Sequence, residues 1–256
     1  MYISRKYKTV TYENRCQIQE MRYEAQLAFK QKMVQNNLER IGGLSDFEMY
    51  PVIGMETPYA YRNKAQFPVG EDKDGNIVIG FYAGRTHHIV EQTDCCIGAP
   101  ENGEVLRKVK AYMQKNQIRP YNEEHHSGIV RHILIRTGYH TKEIMVCLIV
   151  NAAKASCLKN AEQLTESLRE MDGMTSVMVN FNTEKTNVIL GKKSEVLWGQ
   201  PYIEDFIGDV KYQISPQSFF QVNPMQTEKL YAKALEYAGL TGNETVWDLY
   251  CGIGTI

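Results

Sequence analysis

Apolar residues recur at helical spacing over residues 23–41. Leu27, Val34, Leu38 and Ile41 share one stripe, with Lys, Gln and Glu between them. That period predicts an amphipathic helix, and Gly42-Gly43 is the glycine pair that ends it. Residues 49–55 read as a short strand before Thr57-Pro58. The pattern then becomes β-rich. Residues 65–69 and 77–82 flank the turn Glu71-Asp-Lys-Asp-Gly-Asn76, a hairpin signature in which Asp-Gly supplies positive φ. Residues 101–117 predict an amphipathic helix. Residues 129–137 and 143–150 are apolar strands joined by Gly138-Tyr-His-Thr-Lys142, a second hairpin. A helix over 155–171 follows, then strands over 174–181, 188–190, 195–198 and 209–215, and a helix over 224–238. Asn223 is placed to cap that last helix, with Pro224 at its first position. Strands punctuated by helices and joined by hairpins imply an α+β layer with an antiparallel sheet. At Thr245 the pattern changes to an apolar strand and a Gly-x-Gly turn, the opening of an α/β unit.

Composition narrows the class. With 256 residues, 43% hydrophobic and 23% charged, the chain reads as an ordinary soluble globular protein of one or two domains. No apolar stretch approaches the roughly 18 residues of a membrane span, and the first residues lack a signal-peptide core. Six cysteines without regular spacing fit a reduced, cytoplasmic setting. A net charge of −1 argues against strong nonspecific polyanion binding but allows a local basic face. The first forty residues carry such an excess: eight Lys or Arg against four Glu.

Four stretches could carry chemistry. In Asp248-Leu-Tyr-Cys-Gly-Ile-Gly254, glycines after a strand let backbone approach a nucleotide-type ligand. Ser215-Pro-Gln-Ser-Phe-Phe-Gln-Val-Asn-Pro224 sets two aromatics among amides before a helix start; by itself it reads first as core packing with an N-cap. Cys16, Cys95 and Cys96 are soft ligands, but no C-x-x-C occurs. Tyr61-Arg-Asn-Lys-Ala-Gln-Phe67 is basic, amide-rich and aromatic at both ends, suited to phosphates and a stacked base, or simply to protecting a sheet edge. The pairs His87-His88 and His125-His126 read as surface residues.

Taken together, these stretches resemble the S-adenosylmethionine-dependent RNA uracil-C5 methyltransferases, and most closely the bacterial 23S ribosomal RNA branch that makes 5-methyluridine. The matching residues are Cys16-Gln-Ile-Gln19 with Tyr23-Glu-Ala-Gln-Leu27, Tyr61-Arg-Asn-Lys64, Gly80-Phe-Tyr82 with His88-Ile-Val90 and Cys95, Ser218-Phe-Phe-Gln-Val-Asn-Pro224, and Asp248 to Thr255. The resemblance implies a cluster-region remnant and helix over 1–44, a central α+β domain over 45–215, and the first elements of a Rossmann-like methyltransferase domain over 216–256, onto which the N-terminal helix would pack. It implies that Gln221, Asp248, Tyr250, Gly252 and Gly254 contact S-adenosylmethionine as a half-site. Arg62, Asn63 and Lys64 would face RNA. Cys16 and Cys95 match two of the four ligands of a 4Fe–4S cluster.

The sequence also departs from the family. Glu13 and Tyr7 stand where the first two cluster cysteines should be, so the cluster is expected to be lost. The family's nucleophilic cysteine and general base lie downstream of the glycine loop, beyond Ile256. Uracil C5 becomes nucleophilic only after a thiolate adds to C6. The expectation is therefore an RNA methyltransferase fragment, inactive alone, with a non-catalytic RNA- or partner-binding module as the alternative. Purified chain should incorporate no labelled methyl groups into ribosomal RNA.

Overall fold

The computed structural model describes residues 18, 20–84 and 86–255. The chain divides into two compact units, one ending at Pro58 and the other beginning at Tyr59. In the first, helix α1 (Tyr23–Asn36) continues into a π-helical turn, Asn37–Ile41, as the spacing predicts. Gly43 then takes φ +64°, and the Leu44 N–H reaches back to the Leu38 carbonyl, closing the helix. The predicted apolar stripe is not a core: no residue of α1 is buried, and Val34 and Ile41 are exposed. Residues 49–55 do not form the expected strand. Helix side chains take their backbone donors instead. The Val52 N–H donates to Gln31 Oε1 (3.3 Å) and the Met55 N–H to the Tyr23 hydroxyl (2.6 Å).

The second unit is built on a seven-stranded sheet. Its strands are β1 (Lys64–Glu71), β2 (Ile77–Tyr82), β3 (Ile89–Glu91), β4 (Val130–Thr137), β5 (Ile144–Val150), β6 (Met174–Phe181) and β7 (Lys193–Gly199), in the order β3-β2-β1-β4-β5-β6-β7. The β1–β2 hairpin turns as predicted. Asp72 accepts hydrogen bonds from the Asp74 and Asn76 backbone, and Gly75 adopts φ +80°. The expected purely antiparallel sheet needs one correction, because β5 and β6 run parallel. A parallel pair needs a crossover, which α3 (Ala161–Arg169) supplies.

The helix predicted over 155–171 is broken. A 3₁₀ turn at Ala155–Cys157 precedes α3, and Asn160 between them adopts φ +51°. Residues 188–190 are not a strand, because Asn182 Nδ2 donates to the carbonyls of Val188 and Ile189 and holds them in a loop.

Helices α2 (Asn102–Lys115) and α3 cover one face of the sheet. Val105, Leu106, Val109 and Met113 of α2, with Leu164 and Leu168 of α3, meet Phe67, Ile133, Ile135, Val146, Leu148 and Val179. A hairpin of β8 (Ile203–Ile207) and β9 (Val210–Ile214) covers part of the other face. There Ile203, Ile214 and Phe220 pack on Leu134, Met145, Cys147, Ile149 and Met178. Burial on both faces explains why β5 is a continuous apolar run, with every residue buried. Helix α4 (Pro224–Ala238) follows, capped by Asn223 Oδ1, which accepts the Gln226 N–H at 3.2 Å. Among the described residues no helix is long and apolar enough to cross a membrane.

Residues 245–249 were expected to form a strand. They pair with none of the described residues, and Val246, Trp247 and Leu249 are exposed. A strand is stabilised by its ladder, and an apolar pattern without one does not make a strand.

Two outcomes follow. Leu148→Ala, at a position with no exposure, should cost about 2–5 kcal/mol in denaturant unfolding. Amide exchange at residues 245–249 should be fast while β5 amides exchange slowly, as read by hydrogen–deuterium exchange.

Candidate functional site

At the start of β1 the chain runs beside the cysteine-containing loop. The Ala60 N–H donates to the Cys96 carbonyl and the Arg62 N–H to the Ile97 carbonyl, both at 2.9 Å. Asn63 then turns inward. It is 7% exposed, and its side-chain Nδ2 donates to the Gln221 carbonyl at 3.0 Å. Its N–H donates to the Val222 carbonyl, and its own carbonyl accepts the Thr137 N–H. The expectation that Asn63 faces RNA alongside its neighbours is therefore corrected. Its amide holds the segment carrying Gln221, because a buried amide must find its partners inside the protein.

Lys64 opens β1 directly opposite Arg136 on β4. Arg136 is 2% exposed, and its Nη2 donates to the carbonyls of Pro216 (3.3 Å) and Ser218. The loop from Ser215 is thus tied to the sheet at Arg136 and at Asn63. Within the loop, Ser218 Oγ accepts the Ser215 N–H at 3.0 Å. The two aromatics point oppositely. Phe220 is buried against the β8–β9 side of the core, and Phe219 is 69% exposed. The core-packing reading of this motif holds for Phe220 and for the Asn223 cap, whereas Phe219 faces solvent.

The electrostatics of this corner are one-sided. Burial lowers the Arg136 pKa to about 10. Burial first, then Arg136 and Arg62, lowers the Lys64 pKa to about 8. Among the described residues, none of the three is paired with a carboxylate.

The glycine loop reaches the same part of the core. Ile253 packs on the cluster that contains Phe220, and Tyr231 and Thr255 share a hydroxyl hydrogen bond of 3.2 Å. Gly252 and Gly254 adopt φ +56° and +73°, a turn that side chains would strain, and a Cβ added at either meets nothing within 4 Å. That open backbone fits close approach by a ligand. Asp248 accepts the Tyr250 N–H at 3.0 Å, and Tyr250 itself is 96% exposed. The structure therefore brings Phe220, next to Gln221, and Ile253, between the two glycines, to one cluster and leaves Asp248 and Tyr250 at the surface.

Cys16 lies outside the described residues. Cys95 is half-buried, and among the described residues no three His, Cys, Asp or Glu gather to hold a metal. Of the histidines read as surface residues, His87 is exposed and its Nδ1 meets Glu123 at 2.7 Å, whereas His126 is half-buried and its Nδ1 meets the Tyr121 hydroxyl at 2.6 Å. Sequence reasoning missed Arg136 and Asp205. Asp205 is fully buried and accepts the N–H groups of Tyr139 and His140, which ties the β4–β5 turn to β8. The only sequence signal for Arg136 was a charge inside an apolar strand.

An uncharacterized RNA methyltransferase of Halalkalibacterium halodurans is 49% identical over 242 residues, covering 94% of this chain and 52% of that protein. Counterparts in Bacillus cereus and Clostridium tetani are 48% and 47% identical with the same coverage. The chain is related to RNA methyltransferases. It spans about half the length of these curated relatives. No protein-family model matches it. Among solved structures, Pyrococcus abyssi tRNA (uracil-54, C5)-methyltransferase in complex with S-adenosyl-L-homocysteine superposes with a TM-score of 0.73 at 28% identity, covering 94% of this chain and 53% of that one.

The opposed aromatics give a direct check. Phe220→Ala should lower stability by about 3–5 kcal/mol, whereas Phe219→Ala should stay within about 0.5 kcal/mol, both measured by chemical denaturation.

Proposed function

We propose that this chain is part of an S-adenosylmethionine-dependent enzyme that methylates C5 of uridine in RNA, with 23S ribosomal RNA as its substrate. The observation that carries the reading is the tethered Ser215–Val222 loop. It holds Gln221 against Asn63, which lies between Arg62 and Lys64, and turns Phe219 outward. Similarity to a tRNA uracil-C5 methyltransferase supports the choice of uridine C5.

Each residue has a task that follows from its chemistry. Arg62 and Lys64 hold backbone phosphates, where a cation sets register without reading sequence. Phe219 offers a flat apolar face on which an unstacked base can lie. Gln221, Asp248, Tyr250, Gly252 and Gly254 hold the methyl donor, which supplies an electrophilic methyl group when bound. Two described thiols are poor candidates for the attacking sulfur. Burial pushes the Cys147 thiol up to about 12 and raises that of Cys157, so neither readily yields a thiolate.

Fluorescence anisotropy with a 23S ribosomal RNA hairpin and a transfer-RNA arm carrying uridine 54 tests the reading. Binding should be salt-dependent and favour the ribosomal hairpin. Arg62→Ala should weaken binding to both RNAs and lower the slope of log affinity against log salt by about 0.7–0.9. Preference for the transfer-RNA arm would reassign the substrate. Absence of binding at about 50 mM salt would remove the RNA reading.

A further inference from the structure

We propose that Arg62 and Lys64, in the positive field of the buried Arg136, form one oxyanion site for an RNA phosphodiester, and that Lys64 gains its proton as the phosphate docks. The inference rests on the RNA reading above and goes beyond it by assigning a proton to the binding step. Its geometric basis is the strand register. Lys64 and Arg136 are direct cross-strand partners, so their side chains share a face of the sheet, and Arg62 lies two residues before Lys64.

Facing Lys64 are Arg136 on β4 and Arg62 on its own segment. The neighbouring loop, Pro216 to Val222, contributes only neutral side chains. Arg136 is committed to the carbonyls of Pro216 and Ser218 and cannot turn away, and its Nε has no partner among the described residues. A fixed positive charge with no carboxylate beside it repels a second cation and attracts an anion. Burial and these two arginines explain why Lys64 loses its proton near pH 8 rather than in the usual lysine range. A phosphate brought against Lys64 adds the missing negative charge and favours the ammonium form. The proton is taken from water or buffer.

The sign follows from that balance. Well below pH 8 Lys64 is already charged and binding takes up almost no proton. Above it the free protein must take up a proton to bind, so affinity falls. If the bound form stays protonated, affinity should drop about tenfold between pH 7 and pH 9.

The test measures anisotropy of the chain with oligoadenylate and with the 23S hairpin at pH 7, 8 and 9. Adenine does not ionise in this range, so the oligoadenylate reports the protein. Calorimetry at pH 8.5 in two buffers of different ionisation heat counts protons. Wild type should show the tenfold loss and take up roughly three-quarters of a proton. Lys64→Arg keeps the cation without its titration, and should bind with little pH dependence and no proton uptake. Arg136→Gln, if folded by circular dichroism, should move the midpoint upward. Equal pH dependence in wild type and Lys64→Arg, or none in wild type, would overturn the proton linkage and leave RNA binding standing. Absence of any RNA binding would bring down both readings.

Discussion

A guanidinium sealed inside a protein has to find its hydrogen bonds there. Arg136 sits at the end of β4 with 2% exposure, and its partners are carbonyls of a loop some eighty residues later in the chain. Backbone carbonyls accept from its Nη2 but do not neutralise its charge. The loop is pinned as a result, and a positive field is left over. Asn63 fixes the other end of the same loop through the Gln221 carbonyl. With both ends held, Phe220 enters the core, and Phe219 and Gln221 are presented at its edge.

That anchoring depends on the sheet being rigid where it happens. β4 and β5 are buried along almost their whole length, with helices on one face and the β8–β9 hairpin on the other. A strand packed on both sides cannot slip register without moving its entire apolar set. The pairing of Lys64 with Arg136 is therefore a fixed feature rather than a surface encounter. The glycine loop rests on the same second cluster through Ile253, so it shares one foundation with the Ser215–Val222 loop.

Much of the architecture was legible in the chain itself. Apolar runs marked β1, β2, β4, β5 and β6, the Asp-Gly marked the first hairpin, and Asn223-Pro224 marked the start of α4. The failures share a cause. The strands expected over 49–55, 188–190 and 245–249 had the right composition but no ladder, because side-chain amides and a hydroxyl claimed two of them and the third met no partner among the described residues. β8 was overlooked, although it pairs with β9 along its length.

Local pattern determined which segments could be helix or strand, where turns had to fall, and which residue types could meet phosphate, base or methyl donor. Those choices depend on neighbours in sequence, through backbone sterics and the spacing of apolar side chains. Long-range pairing decided the rest. It set the parallel step between β5 and β6, turned Asn63 inward, split the two phenylalanines between core and solvent, and placed Lys64 across from Arg136. None of these can be read locally, because each depends on which distant strand or loop supplies the partner for a buried polar or charged group.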